Sequence, residues 1–324
     1  MQIKKLFVDA TAAREPEVRV FADKLKLSPE IVADSNAVYA TVNGSKDPIQ
    51  RGKEVLYLTS NKGAFVRSCP GTREYTCCGY KILHIGTYCT MDCAYCILQS
   101  YFHPPVLQYF LNHERMLAEL ETTFALDEIS RIGTGEFTDS MIWEWWTPLS
   151  RRLVPLFAGQ TRAVLELKTK STAIDYLADL EHNRKTITAW SLNTPRVIAD
   201  AERATASLDA RLRAAARCQR WGYPLAFHFD PMIIYEGCES EYEAVVDKLF
   251  QAVDGGQIVW ISLGSFRFMP TLKSIVQRRF PKTKIVYGEF VPGLDGKMRY
   301  FQPQRTELYR RVAERIRKHN PDVL

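Results

Sequence analysis

The feature that most constrains this sequence is a regular alternation of short β-rich runs with helical stretches, which begins at residue 80. Strands that alternate with helices form a parallel sheet with right-handed crossovers. The pattern therefore predicts an α/β barrel, closed or nearly closed, with functional residues at the carboxyl ends of its strands. The six predicted strands span residues 81–86, 129–133, 164–168, 186–191, 225–229 and 258–263.

Two of the helices between these strands are predicted by their sequence patterns. In the stretch 241–253 apolar residues recur on one helix face, and Gly255-Gly256 ends it. The stretch 207–221 has Asp209 in its first turn and stops at Gly222.

The rest of the 324 residues carries weaker signals. Residues 1–79 contain turn signals such as Asn43-Gly44 and Asp47-Pro48, and no single period runs through them. We therefore divide the chain into an N-terminal α/β region (1–79), a partial barrel (80–265) and a C-terminal region (266–324). The length suits two domains or one large α/β barrel.

Composition favours a soluble protein. Apolar residues make up 46% and charged residues 25% of the chain, and no uninterrupted run reaches the ~20 apolar residues of a membrane span. The first residues reach Asp9 before a secretory core can form. We expect a monomeric cytoplasmic protein without membrane association.

Basic charge is concentrated near the C-terminus. The segment from Arg267 to Lys318 contains fourteen Lys or Arg and four Asp or Glu, whereas the whole chain has a net charge of +6. Such a segment favours a polyanionic partner, because phosphate contacts release counterions. A solvated helix face is the alternative.

Three of the eight cysteines lie in one short loop after the first barrel strand. Cys89, Cys93 and Cys96 have the spacing C-x-x-x-C-x-x-C. Thiolates select iron–sulfur clusters or zinc, and a four-iron cluster with three protein ligands keeps one iron open. A zinc site with a distant fourth cysteine, or three unrelated buried thiols, are the alternatives.

This loop resembles the signature of the radical SAM superfamily, in which S-adenosylmethionine binds the open iron of a 4Fe-4S cluster. Its reductive cleavage there yields a 5′-deoxyadenosyl radical. A longer set of motifs is similar to the spore photoproduct lyase family, which splits a thymine dimer in ultraviolet-damaged DNA. These are Cys69-Pro70-Gly71-Thr72, Cys77-Cys78-Gly79-Tyr80, Ile97-Leu98-Gln99-Ser100-Tyr101, Thr169-Lys170, Trp190-Ser191-Leu192-Asn193, residues 205–208 and Gly222-Tyr223-Pro224-Leu225.

The resemblance implies a partial (β/α)6 radical SAM barrel with an N-terminal extension and a basic C-terminal region. It also implies that Cys89, Cys93 and Cys96 hold the cluster. The residues expected to bind S-adenosylmethionine are Gly133, Gly135, Glu136, Lys170, Ser191 and Asn193. An external electron donor such as a flavodoxin or a ferredoxin is implied as well.

The sequence departs from the family pattern at two positions that the family uses in the last steps of its reaction. The family's hydrogen-donor cysteine after the second strand is absent from 135–139, and the tyrosine expected after the last cluster cysteine is Ile97. Tyr95, on the other side, is present. We expect Cys238, after the fifth strand, to replace the missing hydrogen donor. Cys77 and Cys78 are the next candidates for this role. The alternative for Cys238 is that it is only a small buried hydrophobic residue.

Cations and aromatic residues interleave near the C-terminus. Lys297, Arg299, Tyr300 and Arg305 are therefore the residues we expect to hold DNA phosphates and stack an exposed base. The leading hypothesis is a radical SAM lyase that repairs a DNA lesion. The alternatives are radical SAM modification of RNA or a peptide, and a non-catalytic nucleic-acid-binding protein with a structural metal.

Overall fold

Two parallel sheets organise the protein in the computed structural model, which describes residues 2–71 and 76–324. Thr72 of the Cys69 motif lies outside the described residues. The strands are β1 (Lys5–Asp9), β2 (Pro29–Val32), β3 (Val55–Thr59), β4 (Val66–Ser68), β5 (Lys81–Leu83), β6 (Gly86–Thr87), β7 (Asp92–Cys93), β8 (Leu107–Phe110), β9 (Ser130–Gly133), β10 (Ala163–Thr169), β11 (Thr186–Ser191), β12 (Glu202–Arg203), β13 (Leu225–Met232), β14 (Ile258–Ser265), β15 (Arg267–Phe268), β16 (Phe290–Pro292) and β17 (Met298–Tyr300).

Helices connect the strands and cover the sheets. They are α1 (Pro16–Leu25), α2 (Asn36–Asn43), α3 (Pro48–Glu54), α4 (Leu98–Tyr101), α5 (His113–Phe124), α6 (Ser150–Ala158), α7 (Pro195–Ala201), α8 (Leu208–Arg220), α9 (Cys238–Ala252), α10 (Pro270–Arg279) and α11 (Gln302–His319). No helix of the described chain is both long enough and apolar enough to cross a membrane.

The larger sheet has the order β14-β13-β11-β10-β9-β5-β4. Its first six strands are parallel, and β4 pairs antiparallel with β5 at the edge. All six residues of β11 are buried, as expected for a parallel strand covered on both faces. The six predicted strands are therefore confirmed, and α8 and α9 match the two predicted helices.

The smaller sheet crosses the boundary predicted at residue 79. Its order is β2-β1-β3-β8-β6, so two strands from beyond residue 79 complete a sheet started by the N-terminal region. Strand β4, from the N-terminal side of that boundary, instead joins the larger sheet. The N-terminal region and the barrel region are thus interleaved in the chain.

The C-terminal region packs onto the barrel. Helix α11 buries Leu308, Val312 and Ile316 on one face, a period typical of an amphipathic helix. Its cations pair with acids of α9, with Arg311 Nη2 2.7 Å from Glu243 Oε1. The strands β15, β17 and β16 form a small antiparallel sheet nearby.

Candidate functional site

A cavity of about 180 Å³ lies at the carboxyl ends of the parallel strands, where ligands bind in parallel α/β sheets. The cysteine loop forms one wall, and residues that end or follow β9, β10 and β11 form the others. The lining residues are Cys89, Met91, Cys93, Tyr95, Cys96, Ile97, Leu98, Gly135, Glu136, Thr138, Asp139, Lys168, Thr169, Lys170, Ser191 and Asp230.

The cysteine loop is held by backbone pairing and by one amide side chain. Strand β7 of the loop pairs antiparallel with β12, and Ala94 donates its N–H to the Ala201 carbonyl at 2.7 Å. Gln99 Nε2 lies 3.0 Å from the Cys93 oxygen and 3.1 Å from the Ala94 oxygen. These bonds fix the loop independently of any metal.

A buried cation from the N-terminal region also holds this loop. Lys53 is 1% exposed, and its ammonium donates to the carbonyl oxygens of Cys89, at 3.0 Å, and Met91. Asp92 balances the charge, 3.7 Å from Lys53 and 3.0 Å from Arg279. The preceding Gly52 permits this approach, because a Cβ there would lie 1.5 Å from the Pro105 oxygen.

The chemistry of the three thiols fits an iron–sulfur cluster. Thiolates are the protein ligands of such clusters, and Cys89, Cys93 and Cys96 line one cavity. Among residues 2–71 and 76–324, no group of three His, Cys, Asp or Glu side chains is arranged to hold a single metal ion.

Burial keeps the thiols of Cys89 and Cys93 protonated when no metal is bound. It raises the pKa of Cys89 to about 12 and raises the pKa of Cys93 as well, with Lys170 opposing the shift at Cys93. A bound metal ion deprotonates its thiol ligands. Lys170 is therefore placed to favour the thiolate form beside the cluster loop.

Asp139 organises the wall opposite the loop. Its carboxylate accepts from Thr169 Oγ1 at 2.7 Å, from the Lys170 N–H at 2.9 Å and from the Met141 N–H at 3.0 Å. Burial raises the pKa of this carboxyl, and these three bonds oppose the shift. Asp139 thus fixes the turn that carries Lys170.

Tyr95 contributes a phenol to the cavity. Its hydroxyl donates to Glu202, which forms a fully buried ion pair with Arg211. Burial acts to raise the pKa of Glu202, but Arg211 and Lys170 outweigh it and the pKa is lowered. The phenol therefore faces a carboxylate that stays ionised.

Comparison with known proteins decides the family. A family model described as spore photoproduct lyase matches residues 68–322, most of the chain. The chain belongs to the spore photoproduct lyase family.

Individual relatives agree with this assignment. A spore photoproduct lyase of Bacillus subtilis (strain 168) is 30% identical over 245 residues, covering 74% of this chain and 70% of that protein. One from Geobacillus sp. (strain Y412MC61) is 28% identical over 210 residues, covering 63% and 62%.

Solved structures extend the likeness to the N-terminal region. A spore photoproduct lyase variant with bound AdoMet and dinucleoside spore photoproduct superposes with a TM-score of 0.87 and 22% identity, covering 99% of this chain and 97% of that one. A spore photoproduct lyase complexed with dinucleoside spore photoproduct gives 0.86, at 21% identity and the same coverage. These likenesses show that the fold includes the N-terminal sheet.

Most of the residues that the family resemblance assigned to the cofactors line the cavity. Three of the residues predicted from the sequence for the cofactors or for catalysis do not line it. Gly133 lies in β9 against Tyr80, whose hydroxyl would be 2.0 Å from a Cβ at this position. Asn193 is 1% exposed and donates to the Pro231 oxygen at 2.8 Å, so its side chain links β11 to β13. Cys238 is fully buried at the start of α9.

The residues expected to bind DNA are more enclosed than the sequence suggested. Tyr300 is 4% exposed, and its ring stacks on Phe290 instead of facing solvent. Arg299 is 8% exposed and lies 2.7 Å from Asp295, which also pairs with Lys297. Arg305 is half-buried and donates to the Tyr300 oxygen.

The sequence did not reveal the side chains that hold the cysteine loop through hydrogen bonds and ion pairs. Lys53, Gln99 and Arg279 are far apart in the chain, and no spacing motif joins them. Asp139 carried a usable signal, because it follows a predicted strand of a parallel sheet, where functional side chains collect.

Proposed function

We propose that this chain is a radical SAM lyase that repairs a photoproduct lesion in DNA. The single observation that carries the proposal is that three cysteines of one loop share a cavity with Glu136, Lys170 and Ser191 at the carboxyl ends of the barrel strands. Membership of the spore photoproduct lyase family supports it. So do the AdoMet and dinucleoside spore photoproduct bound by a protein of the same fold.

Cys89, Cys93 and Cys96 would hold a 4Fe-4S cluster, with one iron left for S-adenosylmethionine. When bound, the cluster and S-adenosylmethionine together supply a 5′-deoxyadenosyl radical that takes a hydrogen atom from the substrate. The protein's part is to position and shield this chemistry.

Charged side chains would orient S-adenosylmethionine. Glu136 offers a carboxylate to its ammonium group, and Lys170 offers a cation to its carboxylate. Asp139 keeps Lys170 in place through the Lys170 N–H. Ser191, at the end of β11, adds a hydroxyl at the same cavity.

The damaged bases would have to leave the duplex to reach this cavity, because it lies at the mouth of the barrel. A damaged base costs least to extrude, which favours a lesion over intact DNA. Exposed cations of the C-terminal region beyond α10 would hold the surrounding phosphates.

Cluster assembly tests the proposal directly. After anaerobic reconstitution we expect one four-iron cluster in the parent protein and none after Cys89→Ala, Cys93→Ala or Cys96→Ala, since an open-iron cluster cannot spare a ligand. Cys218→Ala is the matched control, because this buried thiol lies on α8 outside the cavity. Iron and sulfide analysis gives the readout, and full loading of a variant lacking all three cysteines would refute the site.

A further inference from the structure

A second and larger cavity lies behind the cysteine loop. It has a volume of about 730 Å³ and is open to solvent between the α2–α3 turn, the segment after α4, and α10. Its walls include Lys46, Gln99, His103, Arg278 and Arg279. It shares no lining residue with the cavity that holds the three thiols.

The side chain of Gln99 lies between this outer cavity and the backbone of the loop. Gln99 lines the cavity, and its amide contacts the carbonyl oxygens of Cys93, Ala94 and Cys96 at 3.0, 3.1 and 3.3 Å. The other end of this amide accepts from Arg279. The outer cavity is therefore a place where a molecule can approach the cluster loop without entering the substrate cavity.

The rim of the outer cavity carries cations that are free to meet a partner. Lys46 and Arg278 line the cavity and are exposed. Neither forms an ion pair with a described residue. Some cations of α11 differ, because Arg310 pairs with Glu307 and Glu314, and Arg315 pairs with Asp247. Arg317 and Lys318 of the same helix are exposed and form no ion pair with a described residue.

We propose that this rim, with the cavity-lining cations Lys46 and Arg278, docks an acidic one-electron carrier protein that reduces the cluster. The inference rests on the proposed function, since reductive cleavage of S-adenosylmethionine consumes one electron per event. In the docked complex the reduced carrier loses one electron and the cluster gains it, and no atom is transferred. Opposite charges on the two faces would steer the encounter.

The position of the rim favours a carrier protein over nucleic acid. A DNA lesion has to reach the cavity lined by Glu136 and Lys170, whereas the outer cavity opens behind the loop. Docking here leaves the substrate cavity free while the electron crosses the loop. Nucleic acid binding at the rim is the competing outcome that the experiment below separates.

The test compares two doubly charge-reversed proteins, each reconstituted anaerobically. Lys46→Glu/Arg278→Glu alters the rim, and Arg213→Glu/Arg220→Glu makes the same charge change on the exposed side of α8. A reduced flavodoxin is the carrier probe and dithionite is the small-molecule reductant. The readouts are flavodoxin affinity, the rate of cluster reduction by each reductant, and affinity for duplex DNA.

We expect the rim variant to bind flavodoxin roughly tenfold more weakly or worse, and to be reduced by it correspondingly more slowly. Salt should shrink the difference, because it screens exposed charges. The rim variant should be reduced by dithionite at the same rate as the parent protein and should bind DNA with the same affinity. The α8 variant should match the parent protein in every one of these measurements.

Unchanged flavodoxin affinity in the rim variant, or equal losses in both variants, would overturn the docking proposal. Loss of DNA affinity with normal reduction by flavodoxin would also overturn it and assign the rim to nucleic acid. Failure of the proposed function would give a different result. In that case the parent protein, reduced with dithionite, would not cleave S-adenosylmethionine, whatever its affinity for flavodoxin.

Discussion

At the scale of single residues, Tyr95 is the side chain that bears most directly on how the reaction ends. Its phenol lines the cavity and donates to Glu202, whereas Cys238 is fully buried outside the cavity lining. A hydrogen donor must touch the product radical, so the structure favours Tyr95 over Cys238. We expect Tyr95→Phe to divert the product to adducts and Cys238→Ala to leave repair unchanged, as measured by chromatography of the reaction products.

S-Adenosylmethionine cleavage should continue in both of these variants, since neither side chain is a cluster ligand. Tyr223→Phe is the matched control, because this buried hydroxyl bonds to the Leu177 oxygen away from the cavity. Adducts in Cys238→Ala, with normal repair in Tyr95→Phe, would restore the cysteine as the donor.

A second residue, Glu144, makes stability depend on pH. Burial raises the pKa of this carboxyl to about 7, although it accepts from the Ser150 N–H at 3.0 Å and from Ser150 Oγ at 2.6 Å. The folded state therefore binds a proton more tightly than the unfolded state, whose carboxyl has a pKa near 4.5. This contribution to stability is present below pH 4.5 and is lost as the pH rises towards 7.

Glu144→Gln should remove that dependence, because an amide can keep both contacts with Ser150 and does not ionise. Between pH 4.5 and 7 the parent protein should lose about 3 kcal/mol relative to the variant, at 1.36 kcal/mol per pKa unit. Chemical unfolding at several pH values measures the difference. Parallel stability curves for the two proteins would contradict this role.

At the scale of elements, the β16–β17 hairpin presents an exposed apolar side chain at its turn. This is Leu294, which is 81% exposed. Ring contacts connect the base of the hairpin to the cavity: Phe290 meets Phe268 edge to face at 4.9 Å, and Phe268 stacks on Phe266 at 4.9 Å. Phe266 in turn lies 6.5 Å from Tyr95. An exposed apolar tip suits a wedge that opens base stacking.

We expect Leu294→Ser to weaken binding to a lesion-containing duplex roughly tenfold, since burying a leucine side chain contributes about 1.5–3 kcal/mol. Binding of a dinucleoside lesion should not change, because it has no duplex to open. Ile129→Ser, at an equally exposed position (82%), is the control. Equal affinity of all three proteins for the duplex would exclude the wedge.

Elements differ in how far the sequence predicts them. The barrel strands were predictable because short β-rich runs alternate with amphipathic helices. Strands β6 and β8 were not, because they lie inside the barrel portion of the chain yet pair with the N-terminal sheet. The start of α9 was placed correctly to within a few residues, but the direction of the Cys238 thiol depends on tertiary packing.

At the scale of the whole molecule, the N-terminal region supports the cysteine loop. Lys53 reaches from α3 to two carbonyls of the cysteine loop, and Asp47 of the same region pairs with Arg279 at 3.2 Å. The cysteines were predictable from spacing alone, since their chemistry is local. Their supports were not, because Lys53, Gln99 and Arg279 meet only in the folded chain.

The three-cysteine cavity is proposed to repair a DNA photoproduct. The most direct test incubates the reconstituted, dithionite-reduced protein with S-adenosylmethionine and dinucleoside spore photoproduct, and follows the products by mass spectrometry. We expect the lesion to be converted to two thymidines while 5′-deoxyadenosine or regenerated S-adenosylmethionine appears. Cleavage of S-adenosylmethionine with the lesion left intact would contradict it.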